Sequence, residues 1–280
     1  MIVVHTISDI RQALNLAQEQ RKSIGFVPTM GALHDGHISL VRECKKHCDI
    51  TVVSIFVNPT QFNNPDDFKH YPRTLENDSE QLRQAGADIV FAPNEKEIYP
   101  EPDTRIFDFG LLDKVMEGEF RSGHFNGVAQ VVSRLFAIVQ PDKAFFGEKD
   151  FQQVAVLREM VAQMGNQPKI IAFPIVREND GLAMSSRNMR LTENQRKQAP
   201  AIYAALLEAK NKVANTSVTA LKKWITDTIN ANPELETEYV EIVNEKTLQP
   251  VEKWNDCEHV RVCVAVYAHP VRLIDNIQLA

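Results

Sequence analysis

Two histidines are the residues of this sequence whose types and spacing best suit chemistry. His34 and His37 stand three positions apart, with Gly36 between them, in the segment Pro-Thr-Met-Gly-Ala-Leu-His-Asp-Gly-His at 28–37. Both imidazoles can donate hydrogen bonds to phosphate oxygens, and a glycine lets the backbone come close to a ligand. The apolar run at 24–27 comes just before this segment, which is therefore predicted to join a buried strand to a helix.

The junction of a strand and a helix indicates what the histidines would bind. In a parallel sheet this junction faces the crevice at the carboxyl ends of the strands, where ligands bind. The helix N-terminus adds unpaired N–H groups and partial positive charge, which suit a phosphate. The arrangement favours nucleotidyl transfer, in which charge builds on the α-phosphate of a nucleotide. The alternative is a pair of surface or core histidines without a chemical role.

Three further segments carry polar side chains of use to a nucleotide or a small acid. Asn58 and Gln61 follow the next predicted strand, and their neutral amides suit hydroxyls and carboxylates. Lys149 follows a later apolar strand and a glycine, and it offers a point charge to phosphates. The Met-Ser-Ser-Arg-Asn segment at 184–188 offers two hydroxyls and a guanidinium, which suit a triphosphate. For the charged run at 148–150 and for Ser-Ser-Arg, a solvent-exposed loop is the alternative.

Strand-like and helix-like patterns alternate through the first two-thirds of the chain. Strands that are separated by helices imply βαβ units. We therefore predict an α/β fold with a Rossmann-like, doubly wound parallel sheet. The predicted strands are 24–27, 49–57, 87–92, 144–146 and 170–176, and the predicted helices are 9–22 (with Ser8 as its N-cap), 37–47, 75–85, 125–139 and 151–164.

The rest of the chain has a different pattern, with helices first and strands after them. A polar, turn-forming stretch at 177–181 marks the change. We therefore predict one domain at residues 1–176 and a smaller α+β domain at residues 177–280. The predicted helices of the second domain are 192–213 and 217–229, and its predicted strands are 238–243, 260–266 and 273–279.

Composition and charge exclude several classes of protein. The chain has 280 residues, 44% of them hydrophobic and 24% charged, which excludes a disordered or low-complexity chain. Its net charge is −6, whereas nucleic-acid binders normally show a basic excess. No stretch approaches the roughly 20 apolar residues of a membrane span, and Met1–Thr6 lacks the charged start of a signal peptide. We therefore expect a cytoplasmic protein with no nucleic-acid or membrane partner.

The cysteines predict no metal site. None of Cys44, Cys48, Cys257 and Cys263 forms a Cys-x-x-Cys pair, so reduced thiols are expected. Cys44, His47 and Cys48 lie on one predicted helix at spacings that could suggest zinc. No second group of ligands accompanies them, which favours a role in helix packing.

The four polar segments together resemble the pantothenate synthetase family, the pantoate–β-alanine ligases. This family belongs to the cytidylyltransferase-like nucleotidyltransferases that carry His-x-Gly-His. The resemblance covers the whole chain and includes Tyr-Pro-Arg at 71–73, Met-Glu-Gly at 116–118 and Gly-His-Phe-Asn-Gly-Val at 123–128. Small departures from the family pattern fall at Ser122, Asn63–Asn64 and Met189–Arg190, and none of them touches a residue with an implied role.

The resemblance implies a two-step reaction that uses ATP as a substrate. Pantoate first reacts with ATP to give pantoyl adenylate and diphosphate, and the amine of β-alanine then displaces AMP to give pantothenate. This is a step of coenzyme A biosynthesis. The resemblance also implies a homodimer and Mg²⁺ that is carried by the ATP phosphates. The segment at 184–187 lies beyond the polar turn, whereas the other nucleotide contacts come from the first domain. We therefore predict that ATP bridges the two domains and that the C-terminal domain (residues 177–280) acts as a lid that excludes water from the adenylate.

The resemblance assigns roles residue by residue. The implied catalytic residues are His34, His37, Lys149 and Arg187. The implied ATP-binding residues are Met30, Gly31, Ala32, Leu33, His34, Asp35, Gly36, His37, Gly147, Glu148, Lys149, Asp150, Val176, Met184, Ser185, Ser186 and Arg187. Gln61 and Gln153 would bind pantoate, and Gln61 would also bind β-alanine. The roles of Asn58, Glu117 and His124 are left open.

Two other functions stay open on the sequence alone. Another His-x-Gly-His nucleotidyltransferase, one that makes dinucleotides or dephospho-coenzyme A, would need no counterpart of Gln61 and Gln153. A non-catalytic nucleotide-binding or regulatory protein on the same fold could lose a histidine or Lys149, whereas this chain keeps them. A tRNA synthetase is disfavoured because the chain is short and acidic.

Overall fold

The computed structural model of the protein describes residues 1–62 and 65–279. The departure at Asn63–Asn64 lies outside the described residues. The chain divides into two compact units. The first unit comprises Met1–Phe109, Arg121–Glu148 and Gln153–Pro174, and the second comprises Gly110–Phe120, Lys149–Gln152 and Ile175–Ala280. In the described ranges, no helix has both the length and the apolar composition needed to span a membrane.

A six-stranded parallel sheet forms the centre of the first unit. Its strands are β1 (Ile2–Val4), β2 (Ile24–Thr29), β3 (Ile50–Ile55), β4 (Ile89–Phe91), β5 (Lys143–Gly147) and β6 (Lys169–Phe173). The strand order is β1-β4-β3-β2-β5-β6, and every neighbouring pair is parallel. The order reverses between β2 and β5, which is the switch point where doubly wound sheets bind ligands. The predicted parallel sheet is confirmed, with β1 as an additional short strand.

The helices up to residue 163 lie mostly where the apolar spacing predicted them. They are α1 (Ile7–Glu19), α2 (Asp35–His47), α3 (Pro65–Lys69), α4 (Leu75–Ala85), α5 (Glu95–Ile98), α6 (Glu117–Phe120), α7 (His124–Val139) and α8 (Phe151–Gln163). The predicted N-cap Ser8 is wrong, since the Thr6 hydroxyl accepts the Asp9 N–H at 3.1 Å and starts α1 earlier. Strand β6 ends at Phe173, so Val176 lies beyond it.

The central strands and α2 share one apolar core. Val27, Val53 and Phe145 are fully buried on β2, β3 and β5, and Cys44 of α2 and Cys48, which follows the helix, pack in the same cluster. Burial raises the pKa of the Cys44 thiol to about 12, so this thiol stays protonated. The two cysteines therefore act as small packing residues. No group of three or more His, Cys, Asp and Glu side chains in the described residues is arranged to hold a metal ion.

The second unit contains a three-stranded antiparallel sheet, and three of its α-helices come just before that sheet in the chain. These helices are α9 (Glu193–Gln198), α10 (Ala201–Lys212) and α11 (Val218–Asn230), and the strands are β7 (Glu236–Asn244), β8 (Val260–Ala268) and β9 (Val271–Gln278). The strand order is β7-β8-β9. The prediction of one helix at 192–213 is wrong: the helix is interrupted at Pro200, which has no N–H to continue the ladder.

The two faces of this antiparallel sheet differ in character. On one face Val262, Val264 and Val266 join the apolar core that α10 and α11 cover. We call the other face the polar face; it carries Arg261, Asn276, Arg272 and Tyr239. This face contacts the segments Gly110–Phe120 and Lys149–Gln152. The carboxylate of Glu117 accepts from Arg272 at 2.7 and 2.8 Å and from the Tyr239 hydroxyl at 2.8 Å. The sheet thus holds two short segments from the middle of the sequence.

Candidate active site

The loop after β2 has an uncommon backbone conformation. Gly31 and Ala32 have positive φ values of 81° and 49°, a region that residues with side chains rarely adopt. The carboxylate of Asp78 on α4 stabilises this loop by accepting the N–H groups of Ala32 at 3.0 Å and of Leu33 at 2.9 Å. Asp78 is only 1% exposed. The buried carboxylate therefore fixes the course of the chain up to His34.

The two histidines cap the N-terminus of α2 reciprocally. Nδ1 of His34 accepts the N–H of Gly36 at 3.1 Å, and Nδ1 of His37 accepts the N–H of His34 at 3.4 Å. Their ring centroids lie 4.1 Å apart. Because an accepting ring nitrogen carries no proton, each neutral ring is protonated on Nε2. The pair therefore offers N–H donors beside the positive end of the α2 dipole, an arrangement that suits an anion.

The 3-10 helix Pro59–Gln61 places Gln61 beside the loop after β2. Nε2 of Gln61 lies 3.1 Å from Sδ of Met30, so residues that follow the adjacent strands β2 and β3 meet here. Asn58 is buried, and its Nδ2 donates to Oε1 of Gln61 at 3.2 Å. The hydroxyl of Tyr99 donates to Oδ1 of Asn58 at 2.9 Å and fixes the orientation of the amide. Asn58 thus supports Gln61.

Helix α7 packs closely against the same 3-10 helix. A Cβ at Gly127 would lie 2.3 Å from the carbonyl oxygen of Thr60, so this approach requires glycine. Nδ1 of His124 lies 2.9 Å from the carbonyl oxygen of Gln61, and Nη2 of Arg121 donates to the same oxygen at 3.3 Å. His124, whose role the sequence left open, therefore helps to hold the main chain of Gln61.

The residues that follow β5 divide between the two units. Gly147 ends β5, Glu148 closes a segment of the first unit, and Lys149 begins a segment of the second. The ammonium of Lys149 lies 3.8 Å from the carboxylate of Asp150. The carbonyl oxygen of Lys149 accepts the side-chain amide of Asn276 at 3.1 Å. The antiparallel sheet thus contacts the main chain of the lysine that the sequence predicted for phosphate binding.

Two adjacent glutamines at the start of α8 differ in their contacts. Gln152 is buried: its Nε2 donates to the carbonyl oxygens of Leu112 and Val115 at 2.7 and 2.8 Å, and its Oε1 accepts the N–H of Glu117 at 2.9 Å. Gln153 is half-buried, and its side-chain amide has no hydrogen-bond partner among residues 1–62 and 65–279. Of the two, Gln153 is the one whose amide is available to a ligand.

A hairpin of the second unit brings Val176 to the serine-rich segment. The N–H of Met184 donates to the carbonyl oxygen of Val176 at 3.0 Å. The hydroxyl of Ser185 accepts the N–H of Arg187 at 3.2 Å and caps the 3-10 helix Ser186–Arg190. Val176 and the predicted phosphate-binding residues at 184–187 therefore belong to one short hydrogen-bonded structure.

Arg177 anchors this hairpin to the antiparallel sheet. Its two terminal nitrogens pair with the carboxylate of Asp275 at 2.6 and 2.9 Å. The guanidinium also stacks on Tyr203 of α10, 3.6 Å from the ring centroid, and donates to the carbonyl oxygen of Gly181 at 3.1 Å. A bidentate pair of this kind fixes orientation as well as distance.

Sequence reasoning missed the side chains that hold these loops in place, namely Asp78, Gln152, Asp275 and Asn276. A signal existed for Asp78, which lies on the same face of α4 as the buried Leu82 and Ala85. A carboxylate on an apolar helix face normally has a partner. No pattern distinguishes Asp275 and Asn276 from other polar residues of a strand.

Comparison with known proteins decides the family. The chain matches the family model described as Pantoate-beta-alanine ligase over residues 2–278. The chain belongs to the pantoate–β-alanine ligase family. A pantothenate synthetase of Porphyromonas gingivalis is 51% identical over 278 residues, 99% of this chain and 99% of that protein. A pantothenate synthetase of Bacteroides fragilis is also 51% identical, with the same coverage of both chains.

Solved structures of pantoate–β-alanine ligases have the same fold. The pantothenate synthetase of Thermus thermophilus matches with a TM-score of 0.93 and 43% identity, covering 100% of this chain and 99% of that one. The ligase of Francisella tularensis, solved with beta-gamma ATP and beta-alanine, matches with a TM-score of 0.84 and 38% identity, covering 99% and 97%. The family reaction is the ATP-dependent condensation of pantoate with β-alanine. Family membership therefore favours this reaction over the two alternatives, another His-x-Gly-His nucleotidyltransferase and a non-catalytic nucleotide-binding protein.

Proposed function

We propose that this chain makes pantothenate through pantoyl adenylate and that His34 and His37 stabilise the first transition state. The observation that carries this proposal is the reciprocal cap at the start of α2. It holds each ring through Nδ1, which places the proton of the neutral ring on Nε2 and fixes the ring before a substrate arrives. Donors that are already oriented need no reorganisation when charge develops on the α-phosphate.

The adenylation step transfers the nucleotidyl group to pantoate. A carboxylate oxygen of pantoate forms a bond to the α-phosphorus of ATP, and the bond from that phosphorus to the bridging oxygen breaks, so diphosphate leaves. His34 and His37 donate to the α-phosphate oxygens, and His37 is a candidate proton donor. Lys149 and Arg187, with the hydroxyls of Ser185 and Ser186, bind the β- and γ-phosphates and take up charge on the leaving group.

The second step forms the amide bond. The free amine of β-alanine attacks the carbonyl carbon of pantoyl adenylate, AMP leaves, and the nitrogen loses a proton. Gln61 and Gln153 bind the hydroxyls and carboxylate of pantoate, and Gln61 also serves β-alanine. Support for these assignments comes from the available amide of Gln153 and from the fixed position of Gln61 beside Met30.

Several features implied by the sequence belong to this proposal as predictions. Mg²⁺ would arrive with ATP and be held mainly by its phosphates, as is usual for this ion. The remaining nucleotide contacts would come from the backbone at 30–37, from Gly147, Glu148 and Asp150, and from Val176 and Met184. The lid role of residues 177–280, a homodimer and a cytoplasmic location stay predictions.

A coupled assay of AMP and diphosphate release tests the proposal. Diphosphate release should require pantoate, and steady AMP release should require β-alanine as well. His34→Ala and His37→Ala should each lower the rate of diphosphate release by about 100-fold or more, the scale for loss of a transition-state donor. His47→Ala, at the exposed end of the same helix, is the matched control and should stay within about twofold. Wild-type turnover in a folded His34→Ala/His37→Ala variant would contradict the proposal.

A further inference from the structure

Strand β9 carries two neighbouring polar side chains that contact the predicted phosphate-binding segments. Asp275 pairs with Arg177 at the base of the hairpin, and Asn276 donates to the carbonyl oxygen of Lys149. Neither residue has a part in the mechanism above. The second contact involves Lys149, which the proposed mechanism assigns to phosphate binding. It therefore bears on the reaction more directly than the first contact.

The orientation of the Asn276 amide is fixed by Arg261. Nη1 of Arg261 donates to Oδ1 of Asn276 at 2.6 Å, and a guanidinium can only donate. The amide nitrogen of Asn276 must therefore point the other way, where it donates to the carbonyl oxygen of Lys149 at 3.1 Å. Arg261 is itself held by Glu245 at 2.8 Å and lies over the ring of Phe151, 4.1 Å from its centroid.

Burial makes this contact a rigid one. Asn276 is 3% exposed, and its own N–H is accepted by the carboxylate of Asp275 at 2.7 Å. Gln152 ties the other end of the same short segment to residues 112–117. The segment Lys149–Gln152 is thus held at both ends by buried amides, while the side chain of Lys149 keeps 17% of its surface exposed.

We propose that Asn276 is a positioning residue, which fixes the ammonium of Lys149 for the adenylation step by holding its main-chain carbonyl. This inference rests on the proposed function of Lys149. A lysine ammonium is a point charge on a flexible stem, so its reach is set by where the main chain begins. Misplacing a reacting group by about 1 Å can lower a rate by about 100-fold. Asn276 would therefore affect the rate of the chemical step more than the binding of ATP.

Asn276→Asp separates the contact with Arg261 from the contact with Lys149. The carboxylate keeps an acceptor for Arg261 but puts an oxygen, in place of the donating nitrogen, against the carbonyl of Lys149. We expect kcat for diphosphate release to fall by at least about 10-fold while KM for ATP changes by less than about threefold. Asn276→Ala, which adds no charge, should act in the same direction and serves if Asn276→Asp does not fold.

The decisive measurement repeats both substitutions in a Lys149→Ala background. If Asn276 acts through the ammonium, the further loss there should be less than about twofold. Asn232→Asp is the matched control, because it removes a donor to Gln198 at 2.7 Å elsewhere in the second unit. Its kcat should stay within about twofold of the wild type.

The outcomes divide cleanly between the two proposals. Equal losses with and without the lysine would overturn the positioning role, as would unchanged kcat in both Asn276 variants. Failure of both variants to fold would also overturn it, since Asn276 would then serve the stability of the sheet. A wild-type rate in Lys149→Ala alone would instead refute the function proposed for the lysine, whatever the Asn276 variants show.

Discussion

The loops after β2 and after β5 have similar sequence patterns but different anchors. Each follows an apolar strand, passes a glycine and leads into a helix. The loop after β2 is fixed inside the first unit by Asp78 on α4. The loop after β5 leads into the second unit, where Asn276 on β9 and the buried Gln152 hold it.

The difference shows what a local pattern can and cannot specify. A strand, a glycine and a helix determine that a loop lies at the carboxyl edge of a parallel sheet. They do not determine which distant side chain completes the backbone hydrogen bonds of that loop. Asp78 lies 45 positions after Leu33, whose N–H it accepts. Asn276 lies 127 positions after Lys149, whose carbonyl oxygen it contacts. The local pattern therefore identifies the candidate side chains of each loop, whereas contacts with distant residues hold the loop in place.

Removing the anchor of the loop after β2 should have the largest effect. Asp78→Asn keeps the size of the side chain but turns one acceptor into a donor against the N–H of Ala32 or Leu33. A buried unpaired N–H costs about 1–3 kcal/mol, and the shifted loop should lower the rate of diphosphate release by about 100-fold. Stopped assays of diphosphate release and urea unfolding would measure the two effects.

Asp49→Asn is the matched control for that prediction. Asp49 also accepts a backbone N–H, that of Ser23 at 2.8 Å, but it lies at the amino ends of β2 and β3. Its substitution should leave the rate within about twofold of the wild type. Equal losses of activity in Asp78→Asn and Asp49→Asn would show that the loop after β2 has no special dependence on its anchor.

The two adjacent glutamines of α8 should separate ligand binding from anchoring. Gln153→Ala should raise KM for pantoate by about 10-fold, the loss expected for one or two hydrogen bonds, with little change in thermal stability. Gln152→Ala removes three buried hydrogen bonds and should lower the melting temperature instead. Steady-state kinetics with varied pantoate and a thermal scan would distinguish them. A lowered melting temperature in Gln153→Ala with unchanged KM would reverse the assignment.

The parts of the structure that follow from the sequence are those set by short patterns. Strands β2, β3 and β5, their parallel order and the histidine segment could all be predicted, because apolar runs and capping residues act locally. The split of the helix at 192–213 could also have been found, since Pro200 marks it. The assignment of Lys149–Gln152 to the second unit could not, because it depends on Asn276, Gln152 and the polar face of a sheet formed much later in the chain.

The hairpin that carries Val176 has one buried ion pair and one exposed ion pair. Removing the exposed pair should have the smallest effect of these predictions, and it should act on the free energy of unfolding. Asp275 and Arg177 form the buried pair, whereas Asp180 and Arg196 form a pair at 2.5 Å whose side chains are 41% and 34% exposed. The Arg196 guanidinium and the N–H of Leu182 hold the pKa of Asp180 below its usual range. Solvent screens an exposed pair, so its contribution should be about 0.5 kcal/mol or less.

The sign of this pH dependence follows from the lowered pKa. Asp180 stabilises the fold fully above the unfolded value of about 4, and the contribution is lost as pH falls through the lower folded value. In urea unfolding, Asp180→Asn should therefore be slightly less stable than the wild type at pH 7, and the difference should shrink as pH falls below about 4 and also in high salt. Glu193→Gln removes a still more exposed ion pair with Lys197 and is the control. A difference that neither falling pH nor added salt reduces would mean that Asp180 does not stabilise the hairpin through its charge.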